Sequence, residues 1–251
     1  MPSSFEDLQC QKLWFKTGVK DRLRFLPVHL LHLSLGQTLC KALPAFHALT
    51  GCDSTSALQG IGKASAWRVI NKDNEFKEQL SHFGEDPVVS NGSRQSSEAF
   101  ICSLYHGGRF TKADDVRYFI FCQKNKKSEE LPPTCESLAH HIKRANFQTY
   151  IWNKALVAMQ NLPSPDGHGW TMEGNSLVPV LMTKEHAPKS IVELTACRCK
   201  KSACTRNCSC KLSNLSCTDA CLCMVDEECQ NPMNDVVVCI SDDSSDSESE
   251  Q

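Results

Sequence analysis

Nine cysteines crowd one short segment of the chain and are the residues best suited to chemistry. This thiol cluster consists of Cys197, Cys199, Cys204, Cys208, Cys210, Cys217, Cys221, Cys223 and Cys229. The chain has 16 cysteines in 251 residues, and the residues after Met1 lack the basic and apolar stretches of a secretory signal. We therefore expect reduced thiols, and dense clusters of reduced thiols usually bind metal.

Zinc is the metal that this pattern favours. Zn²⁺ takes four tetrahedral ligands, with sulfur at about 2.3 Å, and the two thiolates of a C-x-C pair can reach one ion or two adjacent ions. Three Zn²⁺ ions need twelve ligand positions, which nine thiolates supply if three of them bridge two ions each. A disulfide framework, a zinc-storage peptide and a two-zinc module with one spare thiol remain alternatives.

Charge is unevenly distributed around the thiol cluster. The formal net charge is only −2, but from Lys189 to Leu215 the chain carries six basic residues and one acid, Glu193. The candidate DNA-binding residues here are Arg198, Lys200, Lys201, Arg206 and Lys211. Such cations mostly contact phosphates, which gives salt-sensitive affinity with little base readout. The acidic residues that follow indicate a protein partner as well.

The cysteine spacing is similar to that of a known DNA-binding module. The stretches Cys197-Arg-Cys199-Lys-Lys-Ser-Ala-Cys204 and Cys208-Ser-Cys210 resemble the opening of the tesmin-type cysteine-rich (CXC) domain. The resemblance implies a three-zinc cluster that binds DNA, in the best-known members through a Tyr just before the fourth cysteine. Here Asn207 stands at that position. The resemblance therefore implies the fold of the domain but not its preference for a particular DNA sequence.

A second informative segment contains a glycine turn. Gly60-Ile61-Gly62-Lys63 permits a tight turn before a helix, whose first N–H groups can hold a phosphate while Lys63 adds charge. Gly60, Gly62 and Lys63 are thus candidate DNA-binding residues, although an ordinary corner between two helices is the alternative. Together with Gly51-Cys52-Asp53, the segment resembles the helix-hairpin-helix region of the flap-endonuclease (5′-nuclease, PIN-like) superfamily. The resemblance implies that Asp53 is a Mg²⁺ ligand; a helix N-cap is the competing role.

An intact nuclease site is not expected. Two-metal chemistry needs several carboxylates to fix both ions, and the family's other acidic clusters lie on strands upstream of the region where this chain begins. Asp53 is the only position that carries over, so Mg²⁺ is expected only if nuclease activity is retained.

The C-terminal tail combines an apolar run with acids and serines. Val237, Val238 and Ile240 precede Ser-Asp-Asp-Ser-Ser-Asp-Ser-Glu-Ser-Glu. An extended apolar segment can add to the edge of a partner's sheet. The run resembles a motif that binds the small ubiquitin-like modifier SUMO; a disordered acidic tail is the alternative.

The elements that must position these residues are mainly helical. Helical periods cover residues 37–82, 96–125 and 134–159, a strand is expected around residues 13–15, and a loop at 83–95. His140, His141, Lys143 and Arg144 are interpreted as a basic patch or a solvated helix face. The predicted parts are a PIN-like remnant strand and helix (1–35), a helix-hairpin-helix region (36–161), a linker (162–190), the CXC zinc module (191–232) and a disordered tail (233–251).

The function predicted is non-enzymatic binding of duplex DNA by a zinc protein of the nucleus. The alternatives are a Mg²⁺-dependent structure-specific 5′-nuclease fragment and an adaptor that recruits a SUMO-modified partner. No run of about 18 apolar residues is present, so no membrane partner is expected. The arrangement as a whole resembles a group of scattered animal proteins whose distribution suggests mobile-element ancestry.

Overall fold

The chain folds into two compact units, Met1–Lys184 and Glu185–Gln251. The computed structural model describes residues 2–106, 108–124 and 131–184 of the first unit. In the second unit it describes 197–199, 204, 207–212, 217, 221–223, 229 and 231. These residues contain eight α-helices and a cysteine cluster. The prediction of a mainly helical chain with a cysteine-rich module is therefore confirmed.

The first unit begins with a two-stranded antiparallel ribbon, which we call the β-ribbon (residues 12–27). Its strands are β1 (Trp14–Thr17) and β2 (Arg24–Pro27), joined through a short 3₁₀ turn, Lys20–Arg22. The helices of this unit are α1 (Val28–Leu35), α2 (Gln37–Leu49), α3 (Lys63–Lys72), α4 (Asn74–Ser81), α5 (Asn91–His106), α6 (Ala113–Lys124) and α7 (Cys135–Asn153). A second ribbon, β3 (Trp170–Glu173) with β4 (Ser176–Pro179), follows them.

Side-chain caps define where two of the helices start. The Asp73 carboxylate accepts the N–H of Phe76 at the start of α4, and the Thr134 hydroxyl accepts the N–H of Ser137 at the start of α7. Each cap satisfies a backbone donor that the first turn of a helix leaves unpaired.

The helices enclose one apolar core. α2 packs against α4 and α7, and α5 packs against α4, α6 and α7. Among the fully buried side chains are Leu49, Ile70, Phe83, Phe100 and Leu138. Within the described residues, no helix combines the length and the apolar character needed to cross a bilayer.

Two features of the first unit differ from the sequence expectations. α5 already begins at Asn91, inside the predicted loop, and α7 ends at Asn153 rather than near residue 159. The segment predicted as a linker contains the β3–β4 ribbon, and its residues up to Lys184 belong to the first unit.

The interpretation of residues 140–144 as a basic patch or solvated face is wrong for two of them. His141 is only 4% exposed, and its Nε2 lies 2.9 Å from the carbonyl oxygen of Leu49. Arg144 is also buried, donating to the carbonyl oxygen of Gly169 and lying over the Trp170 ring. Their polar atoms form hydrogen bonds that hold α7 against neighbouring segments. Polar residue types in the sequence indicate exposure and therefore did not reveal this buried role.

Candidate metal centre

The second unit is organised around sulfur. In its described part, the buried cluster consists of seven cysteines, with two further cysteines half-buried against it. Cys197, Cys204, Cys208, Cys210, Cys217, Cys221 and Cys223 are the buried members, and Cys199 and Cys229 are the half-buried ones. All nine residues predicted from spacing are thus brought together.

The distances between sulfurs fit metal ligation. Cys197 Sγ lies 3.8 Å from Cys204 Sγ and 3.9 Å from Cys217 Sγ, and the Cys204–Cys217 pair is 3.7 Å apart. Tetrahedral zinc with sulfur at about 2.3 Å would hold neighbouring ligands about 3.8 Å apart. A disulfide would instead require about 2.05 Å between the sulfurs. The cluster can therefore hold metal ions, and these thiols are not disulfide-bonded.

Three overlapping groups of four thiols could each hold an ion, because their sulfurs lie within 4.8 Å of one another. The groups are Cys197, Cys210, Cys217 and Cys221; Cys197, Cys204, Cys208 and Cys217; and Cys204, Cys217, Cys223 and Cys229. Cys217 belongs to all three, and Cys197 and Cys204 each belong to two. Cys199 packs beside the cluster without joining any of these groups.

Burial makes four of these thiols favour the neutral form unless a cation is bound. Burial is the largest cause that raises the pKa of Cys204, Cys210 and Cys223, and it raises that of Cys217 to about 12. A thiolate is the metal-binding form, and a divalent ion supplies the charge that makes it favourable. Metal binding should therefore release protons.

A short helix follows Cys208 and changes the environment of its thiol. Helix α8 (Ser209–Leu212) begins directly after Cys208. Burial raises the pKa of the Cys208 thiol, but hydrogen bonds from the backbone N–H groups of Lys211 and Cys210 and from neighbouring thiols outweigh it and lower the pKa to about 7. Hydrogen bonds also lower the pKa of Cys229, so Cys208 and Cys229 ionise more readily than the thiols whose pKa is raised.

Asn231 supports the cluster and was missed by reasoning from the sequence. It is 1% exposed, and its Nδ2 donates to Cys217 Sγ at 3.3 Å. Side chains that hydrogen-bond a ligand orient it and tune the metal. An asparagine two residues beyond Cys229, the last cysteine of the cluster, carries no spacing signal of its own, so only the fold could reveal it.

The structure describes two of the five cations proposed to bind DNA beside the cluster. Arg198 is exposed and Lys211 is half-exposed. Lys200, Lys201 and Arg206 lie outside the described residues, as do Val237, Val238 and Ile240 of the tail.

The glycine turn lies where the sequence predicts it. Gly60, at φ +72°, precedes α3, and Gly62 forms the N-cap of that helix. The Lys63 ammonium, however, donates to the Thr50 hydroxyl and to the carbonyl oxygens of His47 and Gly51. Burial lowers its pKa. Lys63 therefore stabilises the C-terminal end of α2 in this arrangement.

The side chain of Asp53 is exposed, in a four-residue turn in which Cys52 and the buried Thr55 pair through their backbones. It does not cap a helix, because α3 starts ten residues later, after Gly62. Across the described ranges of both units, every group of possible metal ligands consists of cysteines alone. Asp53 thus belongs to none of the groups of three or more possible ligands among these residues, whereas a two-metal site needs several carboxylates.

No family model, curated protein or solved structure matches this chain. The thiol cluster itself is therefore the strongest guide to function.

Proposed function

We propose that this chain is a non-enzymatic zinc protein of the nucleus whose thiol cluster holds three Zn²⁺ ions and attaches to duplex DNA. The observation that carries the proposal is the set of three overlapping four-thiol groups with tetrahedral spacing between sulfurs. Sulfur-only, buried and closed sites are typical of structural zinc. The resemblance of the cysteine spacing to tesmin-type domains supports the same reading.

The sharing of thiols supports three ions. If Cys197, Cys204 and Cys217 each bridge two ions, the eight thiols of the groups fill eleven of the twelve ligand positions. A bridge to three ions by Cys217 would crowd that sulfur, and Cys199 packs against the cluster. We assign Cys199 to the twelfth position.

Electrostatics link the cluster to DNA. Nine thiolates and three Zn²⁺ ions carry a net charge of −3, which nearby cations offset. The cations beyond those needed for this offset can face phosphates, and exposed Arg198 is the described candidate. Such contacts favour any duplex and weaken steeply with salt.

The first unit supports a nuclease-derived ancestry rather than a second activity. Its α2–turn–α3 arrangement, with Gly60 in the turn, fits a remnant of a nuclease-derived helix-hairpin-helix fragment. The single Asp53 and the engaged Lys63 favour a non-enzymatic role for this remnant.

Metal content tests the zinc half of the proposal. Purified protein should contain three equivalents of zinc, measured by elemental analysis together with the protein concentration. Cys217→Ser should lower this number, because Cys217 is shared by all three groups. Cys135→Ser, a thiol of the first unit, is the matched control and should leave it at three. Two equivalents in the unaltered protein would contradict the three-ion assignment.

Duplex binding tests the other half. Anisotropy of a labelled random duplex should rise with zinc-loaded protein at about 50 mM salt, and the affinity should fall steeply by about 200 mM. Arg198→Ala should reduce the salt slope by about 1, whereas Lys41→Ala, an exposed cation on α2, should not change it. Binding that survives a zinc chelator unchanged would show that the cluster is not the DNA-binding element.

A further inference from the structure

The β-ribbon exposes large aromatic side chains. Trp14 is 54% exposed and Phe25 is 60% exposed. Successive residues of a strand face opposite sides, so Trp14 and Lys16 share a face, and Lys16 is paired with Phe25. Two aromatic rings with a lysine between them therefore occupy one face of the β-ribbon.

The Trp14 ring is held in place rather than left free to rotate. The Trp14 and His29 rings pack edge-to-face, with ring centroids 5.4 Å apart. The His29 Nδ1 atom in turn lies 3.3 Å from the backbone nitrogen and 3.0 Å from the carbonyl oxygen of Leu13. A ring fixed in this way loses little conformational entropy when a flat partner stacks on it.

The β-ribbon is also strongly basic. Between residues 12 and 24 it carries five cations and one acid, Asp21. The cations are Lys12, Lys16, Lys20, Arg22 and Arg24, and all five are exposed. Among the described residues, none of them forms an ion pair. This excess of positive charge is complementary to a polyanion.

Charge also decides between the possible occupants of this surface. Another protein strand, or a second copy of the chain, could pair with an exposed strand edge. A second copy would bring five more cations against these five, and lysines on strand edges disfavour such pairing. A nucleic acid places phosphates on the cations and bases on the rings.

We propose that the β-ribbon is a binding site for single-stranded nucleic acid, with bases stacking on Trp14 and Phe25 and phosphates on Lys16 and its neighbours. A single strand fits better than a duplex, because only unpaired bases offer their faces to an aromatic ring. The site lies in the first unit and needs no metal. It is therefore independent of the proposed duplex binding by the thiol cluster.

The test uses the full zinc-loaded chain and labelled oligothymidylate, which forms no duplex with itself. Anisotropy should show saturable binding at about 50 mM salt, about 100-fold weaker at about 200 mM if all five cations contact phosphates. A zinc chelator should leave this binding in place while it abolishes duplex binding. Loss of both activities on chelation would overturn the proposal and assign the single strand to the thiol cluster.

Substitutions then locate the site. Phe25→Ala and Trp14→Ala should each weaken oligothymidylate binding at least about fivefold, the usual loss for one stacked base. Leu33→Ala is the matched control, since Leu33 is 76% exposed on α1, and it should leave the affinity within about twofold. Unchanged affinity in both aromatic variants would refute stacking.

Two further measurements keep the proposal testable if an aromatic variant unfolds. The variant Lys16→Glu keeps both rings and reverses the charge on their face, so it should weaken binding at about 50 mM salt and reduce the salt slope by about 1. An unchanged affinity and slope would overturn the proposal. Sedimentation at increasing protein concentration tests the competing occupant. A dimer that dissociates in Phe25→Ala would show that a second copy covers this face, and would overturn the proposal.

Discussion

Cysteine plays opposite roles in the two units of this protein. In the helical unit, Cys102 is a buried thiol whose pKa is raised to about 12, mainly by burial and then by the charge of Glu98. It packs as a small apolar side chain among Phe100 and its neighbours. In the described part of the second unit, eight thiols each have at least three other sulfurs within 4.8 Å. The comparison shows that spacing, not residue type, makes a cysteine a ligand.

The two units also derive their stability from different sources. The helical unit buries phenylalanine, leucine and isoleucine side chains from several helices in one core. In the described part of the second unit, the members of the buried cluster are all cysteines. A core of protonated thiols gains little from burial, whereas a metal-bound core gains the free energy of ligation.

Zinc removal should therefore have the largest effect, and it should affect one unit only. Apparent binding free energies of structural zinc reach about 10–16 kcal/mol, so a chelator should unfold the second unit and expose the nine thiols of the thiol cluster to alkylation. All four tryptophans lie in the helical unit, and their emission should not change. Re-added zinc should restore protection of the thiols. A parallel change in tryptophan emission would show that the units do not fold independently.

A substitution in the apolar core should affect only the helical unit. Phe100 is fully buried and its ring packs edge-to-face on Phe76 at 5.4 Å. Phe100→Ala should cost about 3–5 kcal/mol of its unfolding free energy, because it removes buried apolar surface and leaves a cavity. Urea unfolding followed by tryptophan emission measures this loss. Leu33→Ala, at an exposed position, should change stability by less than about 0.5 kcal/mol.

Zinc content provides the control for that comparison. Phe100→Ala should still bind as much zinc as the unaltered chain. A fall in zinc content would mean that the thiol cluster depends on the helical core.

In both units, the features that could be predicted from the sequence are those set by local patterns. The nine clustered cysteines were predictable because their spacing is a local property, and the helices because apolar periodicity is local too. The β3–β4 ribbon and the buried Arg144 were not, because their burial depends on contacts between distant segments. The Arg144 guanidinium donates to the carbonyl oxygen of Gly169, 25 residues further along the chain, and no pattern near Arg144 records that partner.

Asn231 offers a finer test within the second unit. Because its side chain donates to the most shared thiol, Asn231→Ala should weaken zinc binding about 10- to 100-fold, the usual loss for a partner of a metal ligand. Competition with a chromogenic chelator measures the affinity. Asn207→Ala, at an exposed asparagine in the same unit, is the matched control and should have no such effect. Equal affinities in the two variants would remove Asn231 from the site.

The smallest predicted effect comes from His141, the histidine buried on α7. Burial lowers its pKa, with a further lowering by the Arg144 charge, while the hydrogen bond to Leu49 acts in the opposite direction. Above about pH 6.5 the ring is neutral in both the folded and unfolded states, so its contribution to stability is fully present. Below that pH the unfolded chain takes up a proton that the folded chain refuses. Stability should then fall by at most about 1.4 kcal/mol per pH unit, until the folded pKa is reached.

His141→Gln isolates this effect, since glutamine can still donate to the Leu49 carbonyl oxygen but does not titrate. Urea unfolding followed by tryptophan emission should show the unaltered chain losing stability relative to the variant between about pH 6.5 and 5.5. The other titrating groups, including nearby His140, are common to both proteins and cancel in this difference. Stability curves that stay parallel across this range would mean that the folded protein accommodates the proton. In that case burial would not force the His141 ring to remain neutral.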